Sequence, residues 1–255
     1  SLPTIGMPCP RSVRRSPGWV PDCSTIAVLV ERFPDGFEET DAGFAVVVDA
    51  AAPDPGLPDW MAVTAEPVAA GWRDAWRDFH APCAIAGTWV RPPWLDAPAD
   101  AVVLEPGYAF GTGSHPTTRG VGELLAGEPA GAVLDLGCGS GLLSILAAVW
   151  GHGPVTAWDL DPHAVAAARA NVERNALGDR IAVQQADVLT APLPACDLAL
   201  ANIERRVVEA LLARDGLPAR VIASGLRADD PLDLGPWRVE AERVEDGWRT
   251  LLLTR

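Results

Sequence analysis

From residue 100 onward, short apolar runs alternate with stretches whose apolar positions recur at helical spacing. AVVLEPG predicts a strand and turn, and TTRGVGELLAG a helix. AVLDLG (132–137) predicts a buried strand, SGLLSILAAVWG a helix and PVTAWDL (154–160) another strand. Asp161 and Pro162 suit the N-cap and first position of a helix running to about Asn175. RIAVQQAD (180–187), CDLALAN (196–202) and ARVIASGL (219–226) predict further strands, with VVEALLAR a helix between the last two. Such βαβ alternation implies a parallel sheet with right-handed crossovers. WRVEAERVED and GWRTLLLTR predict two antiparallel strands joined at Asp246–Gly247. The stretch before that hairpin is short and carries Pro231 and Pro236, so a last crossover helix is expected to be missing.

The first 80 residues are less regular. Residues 1–24 hold several prolines and arginines without periodicity and read as an irregular lead-in. Residues 25–50 suggest a helix (TIAVLVERF), a turn at Pro34–Gly36 and a strand (GFAVVVDA). MAVTAEPV suggests a further strand, and residues 70–79 a helix with Trp72, Trp76 and Phe79 on one face. The expected organisation is a small α/β domain over 1–80, a linker over 81–100 and a nucleotide-binding α/β domain over 101–255.

Composition narrows the function classes. The 255 residues are 49% hydrophobic, enough for a large core. No apolar run is long enough for a membrane helix, and no secretory h-region stands at the start, so a cytoplasmic protein is expected. The five cysteines form no CxxC pair and histidines number four, so no metal site is expected. The net charge of −14 opposes direct binding to bare nucleic acid. It either attracts a basic protein or other cationic substrate, or merely maintains solubility.

The sharpest local signal is Asp135-Leu-Gly137-Cys-Gly139-Ser-Gly141, between a strand and a helix. Glycines there let a backbone turn tightly and a ligand approach. Their spacing is GxGxG and not the GxGxxG of most dinucleotide sites. Asp159 ends the next strand, where a carboxylate can accept both ribose hydroxyls. Asp187 ends the third strand and is either an acceptor for an adenine amino group or a turn residue. A ligand without pyrophosphate but with a cationic sulfonium and an amino-acid end, S-adenosylmethionine, fits this set, with Asp135 facing its ammonium. Cys138 reads as a small filler, since no histidine lies nearby in sequence to activate it.

The runs PGYAFGTGSHPTTR (106–119), LDLGCGSGLLSI, AWDLDPHAV and LALANIE, with GWRDAWRDFHAPCAIAGTWVRPPW (71–94), resemble the bacterial ribosomal protein L11 methyltransferases, the PrmA family. The likeness covers about residues 70–226 well and residues 25–50 faintly. It implies a seven-stranded Rossmann-like methyltransferase domain behind a small N-terminal substrate-recognition domain. It also implies cofactor contacts at Thr118, Gly137, Asp159 and Asn202. The loop of Phe110, Gly111, Thr112 and Gly113 would lie over the cofactor. Asn202 and the backbone of Ile203 would face the acceptor amine. With Asp135, Gly139, Gly141, Leu160 and Asp187 these complete the candidate binding set. By chemistry alone, Phe110 supplies an aromatic wall, and Thr117 or Thr118 can cap the following helix. His115 is either a base or a backbone anchor, while Trp150 and Trp158 read as core. Where the family usually has Asn-Ile-Leu-Ala, this chain has Asn202-Ile203-Glu204-Arg205, which charges the acceptor side. Glu204 is expected to face solvent or to recognise a distant positive group.

The resemblance implies an N-methyltransferase acting on amino groups of a basic ribosomal protein. Transfer to another protein, peptide or small molecule remains open, as does cofactor binding without catalysis. A nicotinamide-dependent dehydrogenase is disfavoured by the glycine spacing.

Overall fold

The computed structural model describes residues 9–14, 38–40, 43–48, 63–65, 81–106 and 113–255. The chain divides into two compact units, Ser1–Phe79 and His80–Arg255.

In the first unit, strands β1 (Cys9–Arg14), β2 (Glu38–Thr40), β3 (Gly43–Val48) and β4 (Val63–Ala65) form one sheet in the order β2-β3-β1-β4, with every pair antiparallel. β3 and β4 fall inside the two segments predicted as strands. β1 corrects the expectation of an irregular lead-in over residues 1–24. Its sequence, CPRSVR, has one β-branched residue, Val13, and so carries no alternation signal. Its conformation comes from pairing along both edges with segments distant in sequence. The helices predicted at 25–33 and 70–79 lie outside the described residues.

The second unit begins with a small sheet. β5 (Cys83–Ile85) and β6 (Thr88–Arg91) form a hairpin, and β7 (Val102–Val103) runs parallel to β6. The hairpin turns at Ala86 and Gly87, both at positive φ as a two-residue loop requires. The 81–100 segment, expected as a linker, therefore carries strands of this unit. The AVVLEPG strand also joins this small sheet and not the main one. The cause is burial: Ile85, Val90 and Val102 belong to the main core.

The main sheet contains β8 (Val133–Leu136), β9 (Val155–Asp159), β10 (Ile181–Gln185), β11 (Leu198–Asn202), β12 (Arg220–Arg227), β13 (Arg238–Glu245) and β14 (Trp248–Thr254). Their order is β10-β9-β8-β11-β12-β14-β13. The pairs from β10 to β12 are parallel, and β14 is antiparallel to both β12 and β13. The final hairpin turns at Asp246 (φ 48°) and Gly247 (φ 76°), as the sequence suggests. Between β12 and β13 no helix occurs. Leu232, Leu234 and buried Trp237 cover the core there instead, and the indole Nε1 of Trp237 donates to Leu212 O at 2.9 Å.

Among the described residues, four helices flank this sheet: α1 (Pro116–Leu125), α2 (Leu142–Val149), α3 (Pro162–Arg174) and α4 (Arg205–Leu212). The first three contribute to one core through Val121, Leu125, Ile145, Leu146 and Val172. Val208, Leu211 and Leu212 of α4 pack into the other. β8 lies between the cores, so its alternating side chains separate: Val133 joins the first, Leu134 and Leu136 the second. Trp158 is buried in the second core, and Trp150 packs against the first with its Nε1 donating to Thr88 Oγ1 at 2.8 Å. The chain reverses direction across the sheet between β9 and β11, on either side of β8. The carboxyl ends of the strands there open a crevice, the usual ligand site of such sheets.

Candidate active site

A cavity of about 920 Å³ occupies this crevice. That is near the upper end of the roughly 300–1,000 Å³ typical of small-molecule sites. Its floor is the glycine turn after β8. Gly137 N and Cys138 N both donate to Trp158 O, at 2.8 and 2.9 Å, tying the turn to β9. Gly139 N donates to Asp159 Oδ2 at 2.9 Å, and Asp161 N to Asp159 Oδ1 at 3.0 Å. The Asp159 carboxylate is thus fixed by one backbone amide on each oxygen. Each oxygen keeps a further lone pair, as a diol partner needs. Beside it Leu160 is 64% exposed on the cavity wall, an apolar surface suited to a flat heterocycle.

Asp187 also lines the cavity, and both of its oxygens are engaged in a turn. Leu189 N donates to Oδ1 at 2.9 Å and Thr190 Oγ1 to Oδ2 at 3.0 Å. The two sequence readings, ligand acceptor and turn residue, therefore meet in one side chain. Cys138 reaches the wall but is largely buried, and burial drives its thiol pKa strongly upward, so it is no nucleophile.

Three candidates stand elsewhere than the sequence suggests. Asp135 is buried, on the same face of β8 as Val133, and does not line the cavity. It accepts from Ser144 Oγ of α2 at 2.6 Å, and burial pushes its carboxyl up to about 6. Period-two alternation directs it under α2, which corrects its assignment to a ligand ammonium. Gly141 is likewise off the wall. It starts α2 at φ 81°, and a Cβ there would lie 3.1 Å from the Ala168 Cβ of α3, so this glycine serves helix packing. Gly113 is buried against Cys83 and Leu142, also off the wall. Phe110, Gly111 and Thr112 lie outside the described residues.

The opposite wall is assembled from four separate segments. Asn202 and Ile203 end β11, and Asn202 Nδ2 donates to Thr118 Oγ1 at 3.4 Å. Thr118 is buried inside α1 and not at its cap. The cap is His115: its Nδ1 accepts from Thr117 N at 3.4 Å and shares a 2.8 Å hydrogen bond with Thr117 Oγ1. That geometry corrects the threonine-cap expectation, since Pro116 fills the first helical position. The His115 ring also meets Trp248 edge-on at 5.0 Å. Burial and, secondly, the Arg119 charge lower its pKa.

Sequence reasoning missed Trp248 and Gly225 altogether, although both line the cavity. Gly225 has φ 84°, and a Cβ on it would stand 1.9 Å from Ile203 O, so only glycine lets β12 pass this closely. It interrupts the β12–β14 register between Ala223 and Leu226. No motif marks it beyond an isolated glycine in a strand pattern, which is a bulge signal.

A floor opened by Gly137 and Gly139, an anchored carboxylate one strand away and an apolar shelf beside it match the needs of a ribose, an adenine and a closely approached sulfonium. With the sheet order, they define an S-adenosylmethionine-dependent methyltransferase. The family model of "Ribosomal protein L11 methyltransferase (PrmA)" matches residues 37–226. A ribosomal protein L11 methyltransferase of Cupriavidus necator is 38% identical over 84% of this chain and 76% of its own length. One of Burkholderia multivorans is 41% identical over 66% of this chain, which spans 59% of that protein. The crystal structure of a ribosomal protein L11 methylase from Lactobacillus delbrueckii subsp. bulgaricus superposes with a TM-score of 0.57, at 27% identity, covering 66% of this chain and 94% of that one. The chain belongs to the ribosomal protein L11 methyltransferase family.

Proposed function

We propose that this protein transfers methyl groups to amino groups of ribosomal protein L11, in the cytoplasm, without direct contact to nucleic acid or membrane. The names of its relatives and its family membership support the substrate. The charge of −14 suits a basic protein partner better than RNA. Among the described residues, no helix is long and apolar enough to cross a membrane.

One observation carries the amine reading. The Asn202 amide donates one N–H to Thr118 Oγ1 at 3.4 Å, and its carbonyl oxygen is the acceptor that this side chain can offer at the cavity wall. A carbonyl oxygen orients an amine N–H without holding the nitrogen as an ammonium. S-adenosylmethionine supplies an electrophilic methyl on a positively charged sulfur, open to in-line displacement. Asp159 holds the ribose, Gly137 and Gly139 allow close approach, and Leu160 and Asp187 flank the adenine. The chain's remaining task is alignment in a dry pocket. A free lysine, with a pKa of about 10.4, is almost wholly protonated at neutral pH. An apolar wall and a nearby positive charge both favour its neutral, nucleophilic form.

The test is methyl incorporation from labelled cofactor into purified, unmethylated L11, with Asn202→Ala as control. Labelled L11 from the native enzyme and a loss of roughly 100-fold in Asn202→Ala, the scale for a misplaced reactant, support the proposal. Cofactor binding without labelled L11 overturns it. A second reading, transfer to a different protein, peptide or small molecule, is favoured by one feature, the exposed Glu204 on the cavity wall.

A further inference from the structure

Four carboxylates line the cavity among the described residues: Asp159, Asp161, Asp187 and Glu204. Three are committed to backbone amides. Asp159 accepts from Gly139 N and Asp161 N, Asp161 from His163 N, and Asp187 from Leu189 N. Glu204 differs. It occupies the N-cap of α4, yet its side chain makes no capping hydrogen bond. The helix start is held by backbone alone, Val207 N and Val208 N donating to Glu204 O at 2.9 and 3.0 Å. The neighbouring Arg205 turns to Glu209 (3.3 Å) and Asp230 (3.8 Å). Among the described residues, no arginine lines the cavity, and none pairs with Glu204. An exposed, uncommitted anion is therefore held at the wall two residues from Asn202.

We infer that Glu204 is a specificity-determining residue that reads a second positive charge on the substrate, an arginine or lysine within two residues of the acceptor. The reach fits. Two residues of extended chain span roughly 7 Å, so a basic side chain spaced two residues from the acceptor in the substrate matches the Asn202-to-Glu204 spacing in the enzyme. The charge logic fits as well. Glu204 would favour an ammonium if it touched the acceptor nitrogen, which would suppress attack. Displaced by two residues and solvated, it attracts the substrate without pinning the reactive proton. The inference rests on the amine-transfer reading, because it needs an acceptor at Asn202.

The test uses the full chain and two nine-residue peptides. Each has one central lysine, flanked two residues away on both sides by arginine in one and by glutamine in the other. The native enzyme is expected to show a KM several-fold lower for the arginine peptide. Glu204→Gln should raise that KM by the same several-fold factor, to the value of the glutamine peptide, at unchanged kcat and leave the glutamine peptide alone. Glu204→Arg should disfavour the arginine peptide further, and 0.5 M salt should erode the native preference. Equal changes for both peptides, or none, overturn the inference and leave Glu204 a plain helix-start residue. If neither peptide nor L11 is methylated, the amine reading fails separately. Calorimetric binding of the same peptides in the presence of S-adenosylhomocysteine then still decides whether Glu204 discriminates between them.

Discussion

The two walls of the cavity are built by different means. The wall proposed for the cofactor is local: Gly137, Gly139, Asp159 and Leu160 come from one βαβ unit, tied by backbone amides to a carboxylate and a carbonyl. The acceptor wall is assembled from residues near 115, 202, 225 and 248, which meet only when β11, β12 and β14 pair. A local cradle tolerates sequence change around it and loses affinity when a donor or acceptor is removed. A composite wall loses geometry when any of its strands shifts.

That contrast is broken most sharply at Gly225. Substitution with valine forces a Cβ into Ile203 O and asks a β-branched residue to hold positive φ. The backbone at Ile203 must move, and a displacement near 1 Å costs about 100-fold in rate. Gly225→Val is expected to lower kcat/KM by at least that, while S-adenosylhomocysteine affinity by calorimetry stays within about threefold. An equal loss of both would mean that the walls are one unit.

Asp159→Ala probes the other side. It removes the acceptor of Gly139 N and, on the proposed reading, of both ribose hydroxyls. With a net loss equal to one charge-assisted bond, about 1.5–3 kcal/mol, the cofactor Kd should rise roughly 10- to 150-fold. At saturating cofactor, kcat should stay within about threefold. A collapse of kcat with unchanged Kd would place Asp159 with the acceptor.

A smaller effect is expected from Asp187→Ala. Its oxygens already serve Leu189 N and Thr190 Oγ1, so a ligand bond there adds to a standing turn. The Kd should weaken by about tenfold or less, the scale of one hydrogen bond, and the 187–190 turn should loosen. Faster amide exchange at Leu189, without a change in kcat, would be its signature.

These two walls were unequally legible in the sequence, for the same physical reason. Period-two and helical spacing located β8 to β14, and GxGxG with Asp159 located the turn and carboxylate that line one side of the cavity, because the determinants lie within some 25 residues of one another. Gly225 and Trp248 carry no such local mark; their role follows from which strand lies beside β11. β1 escaped notice likewise, since CPRSVR is a strand only by virtue of its two neighbours. His115 took the cap from the threonines because Pro116 fixes the helix start one residue after it. Asp135 is the converse case: adjacent to the motif in sequence, it is turned by the pleat under α2 and away from the cavity.

Asp135 therefore gives the finest test of where the cofactor wall ends. Its carboxyl is raised by burial to about 6, against an unfolded value near 4, with Ser144 Oγ as its partner. Below about pH 4 it is protonated in both states and costs nothing. Between about 4 and 6 the unfolded chain releases the proton while the folded chain keeps it. Stability from this group is thus fully present at the acid end and is lost as pH rises through the folded pKa. With about 1.4 kcal/mol per pKa unit, the loss is on the order of 2–3 kcal/mol. Asp135→Asn keeps an acceptor for Ser144 and abolishes the titration. Its stability relative to the native chain, from urea unfolding without cofactor, should therefore rise by that amount between pH 4 and 7. Cofactor affinity at pH 7 should stay within about twofold. A flat stability difference together with a large loss of affinity would return Asp135 to the ligand and move the boundary of the cradle one layer deeper, under α2.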